Sequence, residues 1–187
     1  MTDTTGYTNT LNFGGSVDSI KFNAAVASSN VTIGANVGLD VASGGILETS
    51  NVGGARSHDL GGSLTSASGE LIVTQQNTLG TLTISSNING LESAQNQTGS
   101  VSFTGLAFTK MGAGTVILSG NNAYSGNTTI AEGTLQLAGG NAIGDASQVV
   151  LATSRGPPSI SMTRPKPSER CRAVEPWAAR CPSARVR

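Results

Sequence analysis

Leu106-Ala107-Phe108-Thr109-Lys110-Met111-Gly112-Ala113-Gly114-Thr115-Val116-Ile117-Leu118 is the stretch on which the fold turns. Two short alternating triplets, Leu106-Ala107-Phe108 and Val116-Ile117-Leu118, flank the turn former Gly112-Ala113-Gly114. A period of two puts both apolar residues of a triplet on one face of a strand. The glycines between them mark a sharp change of direction. No helix follows the Gly-Ala-Gly turn, so it is no phosphate-binding loop.

The same unit recurs on both sides. Upstream lie Leu11-Asn12-Phe13, Ile20-Lys21-Phe22, Val31-Thr32-Ile33, Leu39-Asp40-Val41, Leu82-Thr83-Ile84 and Val101-Ser102-Phe103; downstream comes Leu135-Gln136-Leu137. Gly14-Gly15, Ser28-Ser29-Asn30, Gly44-Gly45, Gly53-Gly54, Gly61-Gly62, Asn89-Gly90 and Gly139-Gly140 separate them. No stretch repeats apolar residues at i, i+3, i+4 and i+7, so the class is all-β. Short strands at such intervals fit an antiparallel sandwich or a parallel β-solenoid. The solenoid explains more, because strands this short gain their pairing by stacking coil on coil. At roughly 20 residues per coil, the first ~150 residues make about seven coils. Stacked Asn and Thr at the corners suit the many polar small residues.

Composition divides the chain at one point. Met1 to Thr153 carries three basic residues (Lys21, Arg56, Lys110) and nine acidic ones, a net charge of −6. Ser154 to Arg187 carries eight basic and two acidic residues, a net charge of +6, which is why the whole chain sums to zero. All six prolines, both cysteines and the single tryptophan lie in the second stretch, and 24 of the 25 glycines in the first. Proline removes a ladder donor, so residues 154–187 are expected to be a disordered or non-native tail. Cys171 and Cys181 match no zinc spacing. No apolar run is long enough for a membrane helix, and no basic-then-apolar leader follows Met1, so an export signal is expected to lie outside this chain.

The stretch from Leu106 continues through Ser119-Gly120-Asn121-Asn122-Ala123-Tyr124-Ser125-Gly126-Asn127-Thr128-Thr129-Ile130, Glu132-Gly133-Thr134-Leu135-Gln136-Leu137 and Ala142-Ile143-Gly144-Asp145. This closely resembles the autotransporter-associated, or passenger-associated, β-strand repeat, whose pattern runs LTKxGxGTLxLSGxNTYxGxTTIxxGTLQLG…AIGD. Ala123 replaces the usual Thr before the tyrosine, and Met111 fills a variable slot. Residues 106–153 form the repeat, and residues 1–105 are solenoid coils of the same style without a crisp motif. The resemblance implies a right-handed parallel β-helix in a bacterial surface-displayed or secreted passenger. It also implies a C-terminal outer-membrane β-barrel elsewhere in the full-length parent. The repeat would aid folding and secretion, since each coil buries its apolar face only on a neighbour.

Codon arithmetic sharpens the boundary. Met162 followed by Thr163 forces an Asp codon when read one nucleotide out of register, and Trp177 followed by Ala178 forces a Gly codon. With permitted wobble bases, residues 156–180 read in that register as ATLDLNDSAETVGALSGGGAVGGA, the continuation this repeat family shows. A one-nucleotide shift near Ser154–Arg155 is therefore predicted. An intact frame in the gene, with no repeat hidden beneath it, would sink that expectation.

Chemistry is sparse. His58, the single histidine, sits in Arg56-Ser57-His58-Asp59 and is expected in a solvated loop, with Asp59 on the opposite face. No G-x-S-x-G elbow is present. Asp40, Glu48, Asp59 and Glu70 are scattered, which disfavours paired-carboxylate glycosidase chemistry. Gly139-Gly140-Asn141-Ala142-Ile143-Gly144-Asp145 lacks calcium-repeat spacing. Asn30, Asn96 and Asn127 fit the glycosylation pattern as chance products of Asn/Thr-rich repeats, and Tyr124 is expected to pack at a coil corner. The expectation is thus a non-catalytic scaffold or adhesin-type protein, with no catalytic, cofactor-binding or metal-ligating residue and no cofactor. Its expected partners are host or surface glycans or proteins, and copies of itself through exposed β edges. No specific nucleic acid is expected, although a basic tail is the generic sign of one. The alternative is a carbohydrate-active enzyme or carbohydrate-binding module on the same β-helix.

Overall fold

A computed structural model of the chain describes residues 7–11, 15–23, 29–33, 38–52, 57–93, 102–152 and 159–162. Among the described residues there are seventeen strands, and all but two, which pair only with each other, stack between successive coils. The first holds β1 (Tyr7–Leu11) and β2 (Gly15–Phe22), and the second β3 (Ser29–Ile33) and β4 (Gly38–Glu48). A 3-10 turn, Ser50–Val52, leads to the third, with β5 (Ser57–Gly61), β6 (Ser63–Thr65) and β7 (Glu70–Gln75). The fourth comprises β8 (Thr81–Ile84), β9 (Asn87–Ile88), β10 (Leu91–Ser93), β11 (Ser102–Thr104) and β12 (Ala107–Met111). The fifth has β13 (Thr115–Leu118) and β14 (Thr128–Ile130), and the sixth β15 (Thr134–Leu137) and β16 (Val149–Leu151). β17 (Ser159–Met162) follows.

Strands of successive coils pair in parallel. A seven-stranded sheet runs β1-β3-β5-β8-β13-β15-β17, and a second, eight-stranded, runs β16-β14-β12-β7-β4-β6-β9 with β2 joined to β4. This is the architecture of a parallel β-solenoid. Thr115 lies opposite Thr134, 19 positions on, the spacing of the repeat. Thr81 lies opposite Thr115, 34 positions on, because the β10–β11 excursion lengthens that coil.

The period-two pattern fills the interior in columns. Leu82, Val116 and Leu135 stack beneath Ile160, and Leu60, Ile84, Leu118 and Leu137 form the next column. From the facing sheet come Leu71 on Phe108, and Ile46, Val73, Lys110 and Ile130 in one line. All of these but Ile160 are buried. Each large aliphatic side chain contributes roughly 1.5–3 kcal/mol by leaving water, and its partners lie one coil above and below.

The structure corrects the sequence reading at several points. Ser102 and Phe103 of the Val101-Ser102-Phe103 triplet do not form a stacked rung: β10 and β11 pair antiparallel, Leu91 against Thr104, apart from both large sheets, and Val101 lies outside the described residues. Ser29 and Asn30 lie within β3 rather than in a turn. The array also runs past residue 153, since Ser159–Met162 pairs in parallel with Thr134–Leu137. Alternation alone qualifies Ser-Ile-Ser-Met as a rung, with Pro157 and Pro158 before it and Pro165 after it rather than inside it. Residues 163–187 lie outside the described residues.

Candidate functional site

The polar residues with the most unusual surroundings lie inside the solenoid. Glu48 ends β4 and Gln75 ends β7, and their register continues the inward face of Ile46 and Val73. His58 faces them from β5, opposite Leu82. All three are buried. His58 Nδ1 lies 2.9 Å from Glu48 Oε2, Asn77 Nδ2 donates to Glu48 Oε1 at 3.3 Å, and the Asn77 amide donates to Gln75 Oε1 at 3.0 Å. Phe22 covers the imidazole, stacked at 4.4 Å between ring centroids and tilted by 20°.

This overturns the expected position of His58 in a solvated loop. Its side chain is 1% exposed and belongs to the core, because it shares the inward face with Leu60 two residues on. Asp59 does point to the other side, where it accepts a hydrogen bond from Ser85 Oγ at 2.8 Å. A general base must reach its substrate, and His58 is walled in by strands. The hydrogen bonds of the cluster run among its own members, while among the described residues the buried Gln75 Nε2 is left without a partner.

Lys110 is the second buried polar group. Alternation on β12 sends it inward between Val73 and Ile130, where an ammonium would lack partners. The corner supplies them: Nζ donates to the carbonyl oxygens of Met111 at 2.9 Å, of Glu132 at 3.0 Å, and of Gly112. Burial pulls its pKa down from 10.5 to about 8, and the Glu132 carboxylate opposes that fall. The side chain therefore stays charged at neutral pH and ties two successive corners together. The corner needs glycine. Gly112 (φ 76°) and Gly133 (φ 70°) adopt left-handed backbone, and a Cβ on Gly133 would collide with the Gly112 carbonyl oxygen.

The remaining candidates link coils on the outside. Asp40 accepts from Ser16 Oγ at 3.0 Å and from the Ala67 amide at 2.7 Å, and Glu70 accepts from Thr109 Oγ1 at 2.5 Å. The four carboxylates named from sequence thus divide. Glu48 is interior, Asp59 is on the outer face of the seven-stranded sheet, and Asp40 and Glu70 are on that of the other. Asn87, Asn121 and Asn141 form a corner ladder: the Asn121 amide donates to Asn87 Oδ1 at 2.9 Å, and Asn141 Nδ2 donates to Asn121 Oδ1. Asn122, buried beside it, accepts from the Ile88 amide at 2.8 Å and donates to the Ala142 carbonyl at 2.6 Å. Tyr124 is buried at a corner as expected, its hydroxyl 2.8 Å from Thr128 Oγ1, which lies 2.8 Å from Ser147 Oγ.

Among the described residues, no three His, Cys, Asp or Glu side chains converge on a point that could hold a metal. No helix among them is long and apolar enough to cross a membrane. Sequence reasoning missed the interior cluster and the Lys110 clamp. The available signal was phase: Glu48, His58, Gln75 and Lys110 each stand two residues from a buried apolar residue on the same strand (Ile46, Leu60, Val73 and Phe108).

Comparison with known proteins agrees with the coil geometry. Residues 108–137 match the family model of the passenger-associated-transport-repeat. Over 133 residues the chain is 40% identical to the adhesin BmaC autotransporter of Brucella suis biovar 1 (strain 1330). That similarity covers 70% of this chain and 4% of the relative, so the chain spans a small part of that protein's length. No solved structure matches the chain.

Proposed function

We propose that this chain, a fragment of an autotransporter passenger, serves as a non-catalytic, surface-displayed scaffold of adhesin type. In that role its repeat assists passenger folding and secretion. The observation that carries this reading is the mode of burial. Each inward column is covered only by the coil before and the coil after, so a coil gains its apolar stabilisation when it docks. Docking outside the membrane would oppose backward sliding of the chain. The parent would supply a C-terminal outer-membrane β-barrel as the conduit, and host or surface glycans or proteins would be the ligands. The outward faces favour a scaffold over an enzyme on the same frame. The outward carboxylates of Asp40, Asp59 and Glu70 are engaged by hydrogen bonds from neighbouring coils, whereas glycoside hydrolysis needs a facing pair about 5–10 Å apart.

The tail belongs to this proposal. A one-nucleotide shift near Ser154–Arg155 would replace the native continuation of the repeat, and sequencing the gene across those codons decides it. For the function, the frame-restored segment is placed between a signal sequence and an outer-membrane β-barrel, and surface exposure is read by protease accessibility of whole cells. Deleting residues 108–137 should reduce displayed protein severalfold while a deletion of equal length outside the repeat does not. Equal display from both deletions would refute the secretion role, and hydrolysis of a polysaccharide by the displayed segment would refute the non-catalytic one.

A further inference from the structure

We infer that Asn127 is an acceptor for an N-linked sugar, delivered from a diphosphate-activated donor. Three asparagines stand in the Asn-x-Thr pattern: Asn30, Asn96 and Asn127. The pattern alone ranks them equally, and Asn/Thr-rich repeats produce it by chance, so the choice rests on placement. Asn96 lies outside the described residues, and Asn30 lies within β3, with β1 paired on one side and β5 on the other. Asn127 stands at a corner immediately before β14 and is exposed. The coils before and after it are both present, at β12 and β16.

Its side chain is spare where those of other corner asparagines are used. Asn77 donates to Glu48, Asn89 to Ser63, Asn141 to Asn121 and Asn122 to the Ala142 carbonyl, while Asn87 Oδ1 accepts from the Asn121 amide. Asn127 joins the array through its main chain, its carbonyl accepting from the Phe108 amide at 2.9 Å. Among the described residues its side-chain amide makes no hydrogen bond. The flanking backbone is held as well, Gly126 N donating to Leu106 O at 3.0 Å and Thr128 N to Gln148 O at 2.8 Å. From Asn127 the side chains alternate. Thr128 turns inward, its hydroxyl 2.8 Å from those of Tyr124 and Ser147, and half-buried Thr129 turns to the outer face. Residues two apart in a strand share a face at roughly 6.5 Å, so the amide to be modified and the hydroxyl that completes the pattern are offered together. The neighbours leave room: the corresponding positions one coil before and after are Ala107, a single methyl, and exposed Gln148.

Transfer joins Asn127 Nδ2 to the anomeric carbon of the sugar. The bond from that carbon to the donor's diphosphate oxygen breaks, its electron pair leaves with the diphosphate, and one amide proton passes to a base of the transferase. Because Nδ2 ties no coil to another, the sugar is added without breaking a contact of the fold. At Asn89, Asn122 or Asn141 the same reaction would consume a donor that links coils.

The inference stands apart from the secretion role, since sugar transfer is read on the purified full chain. The chain is offered two donors, both while it refolds from urea and after folding. One is UDP-glucose with a soluble asparagine glucosyltransferase, and the other a polyprenyl-diphosphate oligosaccharide with a membrane oligosaccharyltransferase. Peptide mapping by mass spectrometry should place sugar on Asn127 with at least one of them, and which one identifies the donor class. The modified chain should keep its strand content by circular dichroism and melt within about 2 °C of the unmodified one. Thr129→Ala should lower occupancy of Asn127 severalfold, and Thr129→Ser should restore most of it. No sugar at Asn127 with either donor, in either condition, would overturn the inference. So would a modified chain that loses its strand content, or an occupancy untouched by Thr129→Ala.

Discussion

The early coils, around residues 38–77, and the repeat coils from Leu106 onward share one backbone plan and fill it differently. In the early coils the interior near the corner holds Glu48, His58, Gln75 and Asn77 in mutual contact. In the repeat coils the corner turns at Gly112 and Gly133, where a Cβ would strike the backbone of the coil before, and a single ammonium, Lys110, donates to the carbonyls of Gly112 and Glu132. A solenoid interior thus tolerates polar groups in two ways: as side chains from several coils bonded to one another, with Gln75 Nε2 left over, or as one side chain satisfied by main-chain carbonyls. The first depends on several residues from separate coils. The second is written within one repeat, which explains why the repeat is recognisable over a short length and the early coils are not.

The sharpest way to break the contrast is to remove one member of each core. Phe108→Ala, in the repeat, should cost about 3–5 kcal/mol, since the ring is fully buried and lies 6.2 Å from that of Tyr124; urea unfolding of the repeat coils should show the loss. Glu48→Ala, in the early coils, should cost about 3 kcal/mol or somewhat more, because it leaves buried His58 and Asn77 without their shared acceptor. The double change Glu48→Met with His58→Leu should recover most of that loss, as replacing a buried pair by apolar groups often does. If hydrogen exchange shows the double variant opening as readily as the single one, the loss does not come from leaving His58 without Glu48.

Smaller effects sharpen the picture. Lys110→Met should cost about 2 kcal/mol by leaving corner carbonyls without a donor, with protection lost first at the corners holding Met111 and Glu132. Titration gives Lys110 a signature of its own. Unfolded, the side chain keeps its proton to about 10.5, and folded it releases it near 8, so the unfolded chain binds more protons between those values. Stability should therefore rise with pH across that window, and Lys110→Met should remove that part of the rise. A flat profile for the unmodified protein would show that the three carbonyls hold the ammonium as firmly as water does. Smallest of all, Thr83→Ala on the outer face should change stability by no more than about 0.5 kcal/mol.

Much of the fold was legible in advance because alternation is a local property. Leu82-Thr83-Ile84, Val116-Ile117-Leu118 and Leu135-Gln136-Leu137 announce strands with one buried face, and the glycines between them announce corners. Ser102-Phe103 shows the limit, since the same alternation served an antiparallel pair with Leu91–Ser93. His58 shows it from the other side. A histidine next to an aspartate reads as exposed, yet its phase with Leu60 places it inside, and only the carboxylate of Glu48 from the preceding coil makes that position tenable.

By itself the sequence determined the strand class, the 19-residue step of the repeat, the corner at Gly112–Gly114 and the charge boundary near residue 153. These follow from short-range periodicity, from glycine's backbone freedom and from composition. Ser29-Asn30 and Gly44-Gly45, which also read as turns, lie within strands. The tertiary structure decided which polar residues share the interior, where Lys110 finds its acceptors, and that Ser159–Met162 docks as a further rung. Apart from the local Met111 and Gly112 acceptors of Lys110, those outcomes depend on pairings between residues about 10 to 30 positions apart. Register across coils is set by the summed packing of whole columns, and no single coil contains it.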